Sequence, residues 1–170
     1  MLAAAQVHHT SQAHKLLRLA LYEPDIPQNT GTLMRLCACL DVPLDIIEPC
    51  GFVLSDKNLK RAGMDYLDHL DMVRHDNWQA FSVAFPGQRR ILMSTKSAVS
   101  YLDFAFRPDD ILIAGRESAG VPDTVRQAAY ASVMIPMAKN TRSLNVALAS
   151  AMILSEALRQ TRGFHDEAKS

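Results

Sequence analysis

Apolar residues are patterned in two ways along this chain. Short, nearly continuous apolar runs at 17–22 (LRLALY), 42–47, 90–94 (RILMS), 110–114 (DILIA) and 132–135 predict buried strands. Residues 66–73 predict a further strand at a sheet edge. Between these runs the period changes. Residues 26–40 place Leu33, Leu36, Cys37 and Leu40 at the spacing of one helix face. A short helix over 56–63 stops at Gly63, as helix ends often do. Residues 76–85 predict a helix with Asp76 as N-cap, and 121–130 one with Pro122 in its first turn. The longest helix is expected over 143–161, with Ser143 as its natural cap.

Strands alternating with helices imply an α/β fold class, a mostly parallel sheet flanked by helices. The pattern divides the chain into a flexible tail at 1–16, a single domain at 17–163 and a short tail at 164–170. In such sheets, ligands bind at loops beyond the carboxyl ends of the strands. The last helix is unusual. Leu144, Val146, Ala147, Leu148, Ala149, Ala151, Met152, Ile153 and Leu154 leave it almost no polar face for three turns. A helix apolar all round must be buried on more than one side. A two-fold dimer and a central core helix within one monomer both satisfy that requirement.

Composition narrows the class. The 170 residues carry 18 Lys+Arg and 18 Asp+Glu, so the net charge is zero and a polycationic binder is excluded. A local basic patch is not, because totals hide patches. Apolar residues are 48% and charged residues 21%, which excludes wholesale disorder. Cys37, Cys39 and Cys50 have no disulfide or zinc spacing and read as core thiols in a reducing, cytoplasmic setting. No run reaches the ~18 apolar residues of a membrane span, and the first residues lack a secretory pattern. His8, His9 and His14 read as solvated tail, and no metal is expected.

Three stretches at strand exits carry candidate chemistry. In the first, Pro27, Asn29 and Gly31 open a helix whose free N–H groups can bind an anion, with Arg35 adding a forked cation. Plain helix-start chemistry with a solvated Arg35 explains it equally well. In the second, Gly115 and Gly120 allow backbone to approach a ligand or a sharp turn. There Glu117 could hold a ribose hydroxyl or another loop, or simply cap a helix. The third runs from Ile135-Pro136-Met137 through Ser143 to Asn145. No dinucleotide fingerprint, P-loop, G-x-S-x-G or H-E-x-x-H is present. Asp109 and Asp110 read as a solvated strand entrance, and His69 and His75 lie away from these loops. Lys57, Lys60, Arg61, Arg89, Arg90, Lys96, Lys139 and Arg142 recur along the chain and would form a local phosphate-binding surface.

In this order and spacing the stretches resemble the SPOUT superfamily of trefoil-knotted RNA methyltransferases. The similarity is to the small branch that methylates the ribose 2′-hydroxyl of the tRNA wobble nucleotide. It rests on EPDIPQNTG at 23–31 with Arg35, IIEPCGF at 46–52, DKNLKRAG at 56–63 with Asp65 and Tyr66, GRESAGVP at 115–122, IPM at 135–137 and RSLN at 142–145. The resemblance implies a SPOUT α/β knot at the C-terminus, S-adenosylmethionine as cofactor without metal, a homodimer, and a tRNA anticodon stem-loop as substrate. It implies cofactor contacts at Met93, Ser94, Thr95, Gly115, Glu117, Gly120, Ile135, Met137 and Ser143. Asn29, Arg35, Ser143 and Asn145 would serve the transfer itself. Because guanidinium stays protonated, the role for Arg35 is to hold phosphate and stabilise charge, with substrate phosphate or water taking the proton. Many relatives have Arg at the Ala119 position, a second Ser-Asn pair at Ala147-Leu148, and a neutral residue or Pro at Arg116. Those departures keep a second class open, a non-catalytic knotted RNA-binding or assembly protein.

Overall fold

The protein is described from a computed structural model over residues 17–55 and 68–162. The predicted helix at 56–63, the start of the predicted strand at 66–73 and both predicted tails lie outside the described residues. Six strands form one sheet: β1 (Arg18–Tyr22), β2 (Leu44–Ile47), β3 (Met72–His75), β4 (Arg90–Met93), β5 (Ile111–Ala114) and β6 (Ala131–Val133). Their order is β3-β2-β1-β5-β4-β6, and every neighbouring pair is parallel. β1, β2 and β5 are buried at every residue, which is why they read as nearly continuous apolar runs, broken only by the buried Arg18 and Asp45.

Helices cover both faces. α1 (Pro27–Leu40) and α4 (Val146–Thr161) share one side with Leu19, Leu21, Leu44, Ile46, Ile91 and Leu112. α2 (Trp78–Ala84) and α3 (Asp123–Ala128) close the other over Ala20, Ile47, Leu92, Ile111 and Ile113. The chain builds outward from β1 in one direction through β2 and β3. It then returns to place β5, β4 and β6 on the opposite side. The sheet's switch point therefore falls between β1 and β5.

Several boundaries differ from the sequence pattern. The edge strand is Met72–His75, displaced toward the C-terminus from 66–73. α2 is capped by Asn77, not Asp76: the Asn77 Oδ1 accepts the Ala80 N–H at 2.9 Å. α4 starts at Val146, and its cap is Asn145 rather than Ser143, with Oδ1 accepting from Ala147 N at 2.8 Å and Leu148 N at 3.3 Å. Both residue types cap well. Asn145 also reaches another helix through its amide, a tie that Ser143 does not make.

Buried charge is more frequent than the pattern implied. Asp110 is fully buried, not solvated; Arg89 grips it through Nε at 2.7 Å and Nη2 at 2.8 Å. Asp45 is likewise buried between Arg18 at 2.8 Å and His75 at 2.7 Å. Of the three thiols only Cys37 is a true core residue. Cys50 is half-buried and Cys39 exposed. Burial pushes the Cys37 and Cys50 thiols up to about 12, so neither is a ready nucleophile.

Candidate functional site

The carboxyl ends of β4, β5 and β6 open onto a cavity of about 290 Å³. Its far wall is the approach to α4 and that helix's first two turns, from Ser143 to Ile153. The cavity is lined by Met93, Ser94, Thr95, Gly115, Glu117, Gly120, Ile135, Met137 and Ser143. The structure thus brings together in one place all nine residues expected around a cofactor. Asn29, Arg35 and Asn145 are not in its lining.

Local chemistry explains how each wall is held. Gly115 and Gly120 sit at the two ends of a tight loop, where Arg116 N bonds Gly120 O at 3.0 Å and Gly120 N bonds Arg116 O at 2.9 Å. A Cβ on Gly115 would stand 2.8 Å from the Gly120 carbonyl carbon, so no larger residue fits there. Gly120 has φ 66°, the left-handed region that glycine enters freely. The β4 exit is pinned to β6 by Ser94 N to Val133 O at 2.9 Å and by Ser97 Oγ to Ser132 O at 2.6 Å. Farther along, the β4–β5 connection pairs with the segment leaving β6 through Tyr101 N to Met134 O and Met134 N to Val99 O. Gln160 of α4 ties the same connection through Phe106 N and Phe104 O.

Beside the cavity runs a chain of polar contacts that joins the separate sequence stretches. Glu117 accepts from Asp25 N at 3.1 Å and from Asn29 Nδ2 at 3.2 Å. Asp25 in turn accepts from Glu117 N at 3.1 Å and from the Ser118 hydroxyl. Asn29 Oδ1 accepts from Asn145 Nδ2 at 2.9 Å. Glu117 is therefore the residue that clasps another loop, and the protein itself supplies the anion at the start of α1. Gly51 of the 46–52 stretch abuts the same point: a Cβ there would lie 2.8 Å from Asp25 Cβ. Burial, then the contact with Asp25, pushes the Glu117 carboxyl above its ordinary range. The hydrogen bond from Glu117 holds Asp25 below its own.

Arg35 is exposed on α1. The wider basic surface survives only in part. Lys96, Lys139 and Arg142 are exposed. Arg89 is committed to Asp110 and lies 4.6 Å over the Tyr130 ring, while Arg90 bonds the Ser82 and Phe85 carbonyls. A cation consumed by a buried carboxylate or by helix-end carbonyls has little left for phosphate, so these two leave the list. Lys57, Lys60 and Arg61 lie outside the described residues. The sequence reading missed Lys96, Arg126 and Ser150 as cavity residues. Arg126 sits on α3, where a loop-based search does not look; it reaches Ser94 Oγ at 3.4 Å. Among the described residues, no helix is long and apolar enough to cross a membrane, and no cluster of His, Cys, Asp or Glu could hold a metal.

A parallel sheet whose strand exits surround one compact cavity, walled largely by glycines, apolar side chains and hydroxyls, defines a small-ligand-binding α/β domain. More particularly, the chain belongs to the SpoU rRNA Methylase family, whose model matches residues 16–155. It is 58% identical over 144 residues to the tRNA (cytidine(34)-2'-O)-methyltransferase of Beijerinckia indica, covering 84% of this chain and 90% of that protein. A solved structure concerned with the 2-OH methylation of C/U34 on tRNA superposes with a TM-score of 0.79 at 44% identity, covering 86% of this chain and 96% of that one. The SpoU methyltransferase AviRb from Streptomyces viridochromogenes, in complex with the cofactor AdoMet, gives a TM-score of 0.73 at 27% identity, covering 86% of this chain and 61% of that one.

Proposed function

We propose that this chain transfers a methyl group from S-adenosylmethionine to the ribose 2′-hydroxyl of nucleotide 34, cytidine or modified uridine, in the tRNA anticodon loop. The convergence of nine expected cofactor positions on one cavity carries this reading. The activity for which the relative from Beijerinckia indica is named supports it, and the AdoMet complex of the AviRb structure supports the cofactor.

The residues suit the adenosyl and methionyl parts. The cavity is near the lower end of the ~300–1,000 Å³ usual for small-molecule sites. Gly115, Gly120 and the exits of β4 and β6 offer backbone groups. Lys96 and Arg126 supply positive charge at the lining for a carboxylate. Ser150 Oγ is buried without a hydrogen-bond partner among the described residues.

When bound, the sulfonium supplies an already activated methyl group, so the protein's task is alignment, which can be worth roughly 7–11 kcal/mol. Asn29, Glu117 and Asn145 lock α1, the 115–120 loop and α4 together beside that alignment site. Arg35 holds an RNA phosphate and stabilises charge, and the departing 2′-hydroxyl proton goes to substrate phosphate or water. The reading extends to the dimer. Leu148 and Met152 lie at i and i+4 on α4 and are 60% and 41% exposed, and Leu144, just ahead of the helix, is 39% exposed; together they form an apolar patch suited to a second copy. It also extends to the C-terminal knot, supported by the ties from the β4–β5 connection to the β6 exit and α4, and to a cytoplasmic location.

The test is a transfer assay with labelled S-adenosylmethionine and unmodified tRNA, followed by nucleotide mapping. A 2′-O-methyl group at position 34 is expected. Absence of label in tRNA that the protein binds would favour the non-catalytic class instead.

A further inference from the structure

Within the apolar wall of α4 sits one hydroxyl without a partner. Ser150 is fully buried and lies in the cavity wall, yet its Oγ makes no hydrogen bond among the described residues. A serine inside a helix ordinarily bonds back to the carbonyl one turn earlier. Ser150 does not, and burying an unsatisfied hydroxyl is costly. The cavity-lining positions nearest it on the same helix, Val146, Ala149 and Ile153, are all apolar. The charged lining residues, Lys96, Arg116, Glu117 and Arg126, come from the loops and from α3.

We propose that Ser150 is a cofactor-recognition residue whose hydroxyl pairs with the polar edge of the cofactor's adenine ring. The assignment rests on the methyl-transfer reading above. The chemistry selects the ring over the other end of the ligand. An ammonium or carboxylate would lose its hydration against that apolar helix wall, a much larger cost than one hydroxyl can offset. A flat, neutral heteroaromatic ring gains from that wall and needs one or two polar partners at its rim. A hydroxyl can donate to a ring nitrogen or accept from the exocyclic amine, so a single serine suffices.

The test compares the full-length protein with Ser150→Ala by calorimetric titration and thermal unfolding. Two probes are used: S-adenosylhomocysteine, and 5′-methylthioadenosine, which keeps the nucleoside but lacks the amino-acid end. Ser150→Ala is expected to weaken both ligands by about 5- to 20-fold, the scale of one buried hydrogen bond. Without ligand the variant should unfold at a slightly higher temperature, because an unpaired buried hydroxyl has been removed. That pairing of a stabler free protein with weaker binding is not produced by structural damage. Loss confined to S-adenosylhomocysteine would overturn the assignment to the ring. Affinities within twofold of the wild type for both ligands would overturn any contact by Ser150. If the wild-type protein bound neither ligand, alone or with tRNA present, the cofactor reading itself would fall, and this assignment with it.

Discussion

Asn145 donates its side-chain amide to Asn29 across 2.9 Å, joining residues 116 positions apart, while its own Oδ1 caps α4. One side chain thus both starts the last helix and fastens it to the first. Asn29 passes the connection on to Glu117, and Glu117 to Asp25. The loop after β5 is therefore positioned from two helices at once, beside the cavity it lines.

Asn145→Ala should remove both functions. Loss of the cap alone costs ~1 kcal/mol, and Asn29, 8% exposed, loses an acceptor-side partner as well. A lower unfolding temperature is expected together with a larger loss of methyl transfer than of cofactor affinity. Asn145→Ser keeps a capping oxygen but cannot reach as an amide does. It should restore stability more than activity, and restoration of both would show that the link to Asn29 is not needed.

Gly115→Ala places a methyl group against the Gly120 backbone, at 2.8–3.1 Å from three of its atoms. Backbone on both sides of a bonded loop cannot step aside as a flexible side chain can. Overpacking of this kind costs about 1–3 kcal/mol, and here the strain falls on a wall of the cavity. Affinity for S-adenosylhomocysteine should drop by roughly tenfold or more, equivalent to about 1.4 kcal/mol. Titration calorimetry reads it, and unchanged affinity would mean that the 115–120 loop is not part of the ligand site.

Arg35→Ala should leave cofactor affinity near the wild-type value and reduce transfer by roughly 100-fold, the scale of one lost charge-stabilising donor. Arg35 is exposed on α1 and outside the cavity lining, so it has no route to the cofactor's binding energy. Arg35→Lys should also be poor, since the forked geometry is lost while the charge remains. Comparable losses in binding and transfer would count against a role confined to RNA.

Much of this site was legible because backbone-built cavities sit at strand exits, and strand exits are visible as apolar runs that end in Gly, Pro or Ser. The parallel order follows from runs buried on both faces. What could not be read depends on partners distant in sequence. Asp110 looks solvated until Arg89, 21 residues away, is folded onto it. The same pairing withdraws Arg89 from the basic surface. Ser143 and Asn145 are equally good caps by type, and only the reach to Asn29 separates them. Ser150 disappears into an apolar helix, because its distinction is the absence of a partner among the described residues rather than any spacing.

The paired carboxyls beside the cavity give a pH prediction. Glu117, raised above its ordinary 4.5 by burial and then by Asp25, stabilises the fold while protonated; that contribution is complete below about pH 4.5 and fades as pH rises through the raised value. Asp25, lowered from 3.8 chiefly by the hydrogen bond from Glu117, contributes above about pH 3.8 and loses it as pH falls. The pair therefore contributes most between the two, where one proton is shared. Glu117→Gln cannot ionise, so the decline on the alkaline side of that window should vanish from the unfolding temperature measured against pH. An identical profile in wild type and variant would show that the two carboxyls do not share a proton.

The exposed stripe on α4 separates the core function of that helix from a contact function. Ile153, Leu154, Ala157 and Leu158 face inward at 0–2% exposure, whereas Leu148 and Met152, with Leu144 just ahead of the helix, remain open. Leu148, at 60%, can carry a charge without disturbing the core. Leu148→Arg should change the stability of an isolated chain by less than about 0.5 kcal/mol, as surface substitutions do, but place like charges against each other across a two-fold contact. Light scattering should then give the mass of two chains for the wild type and one for the variant. A variant that stays dimeric would move the interface elsewhere, and a monomeric wild type would leave the stripe without a second copy to cover it.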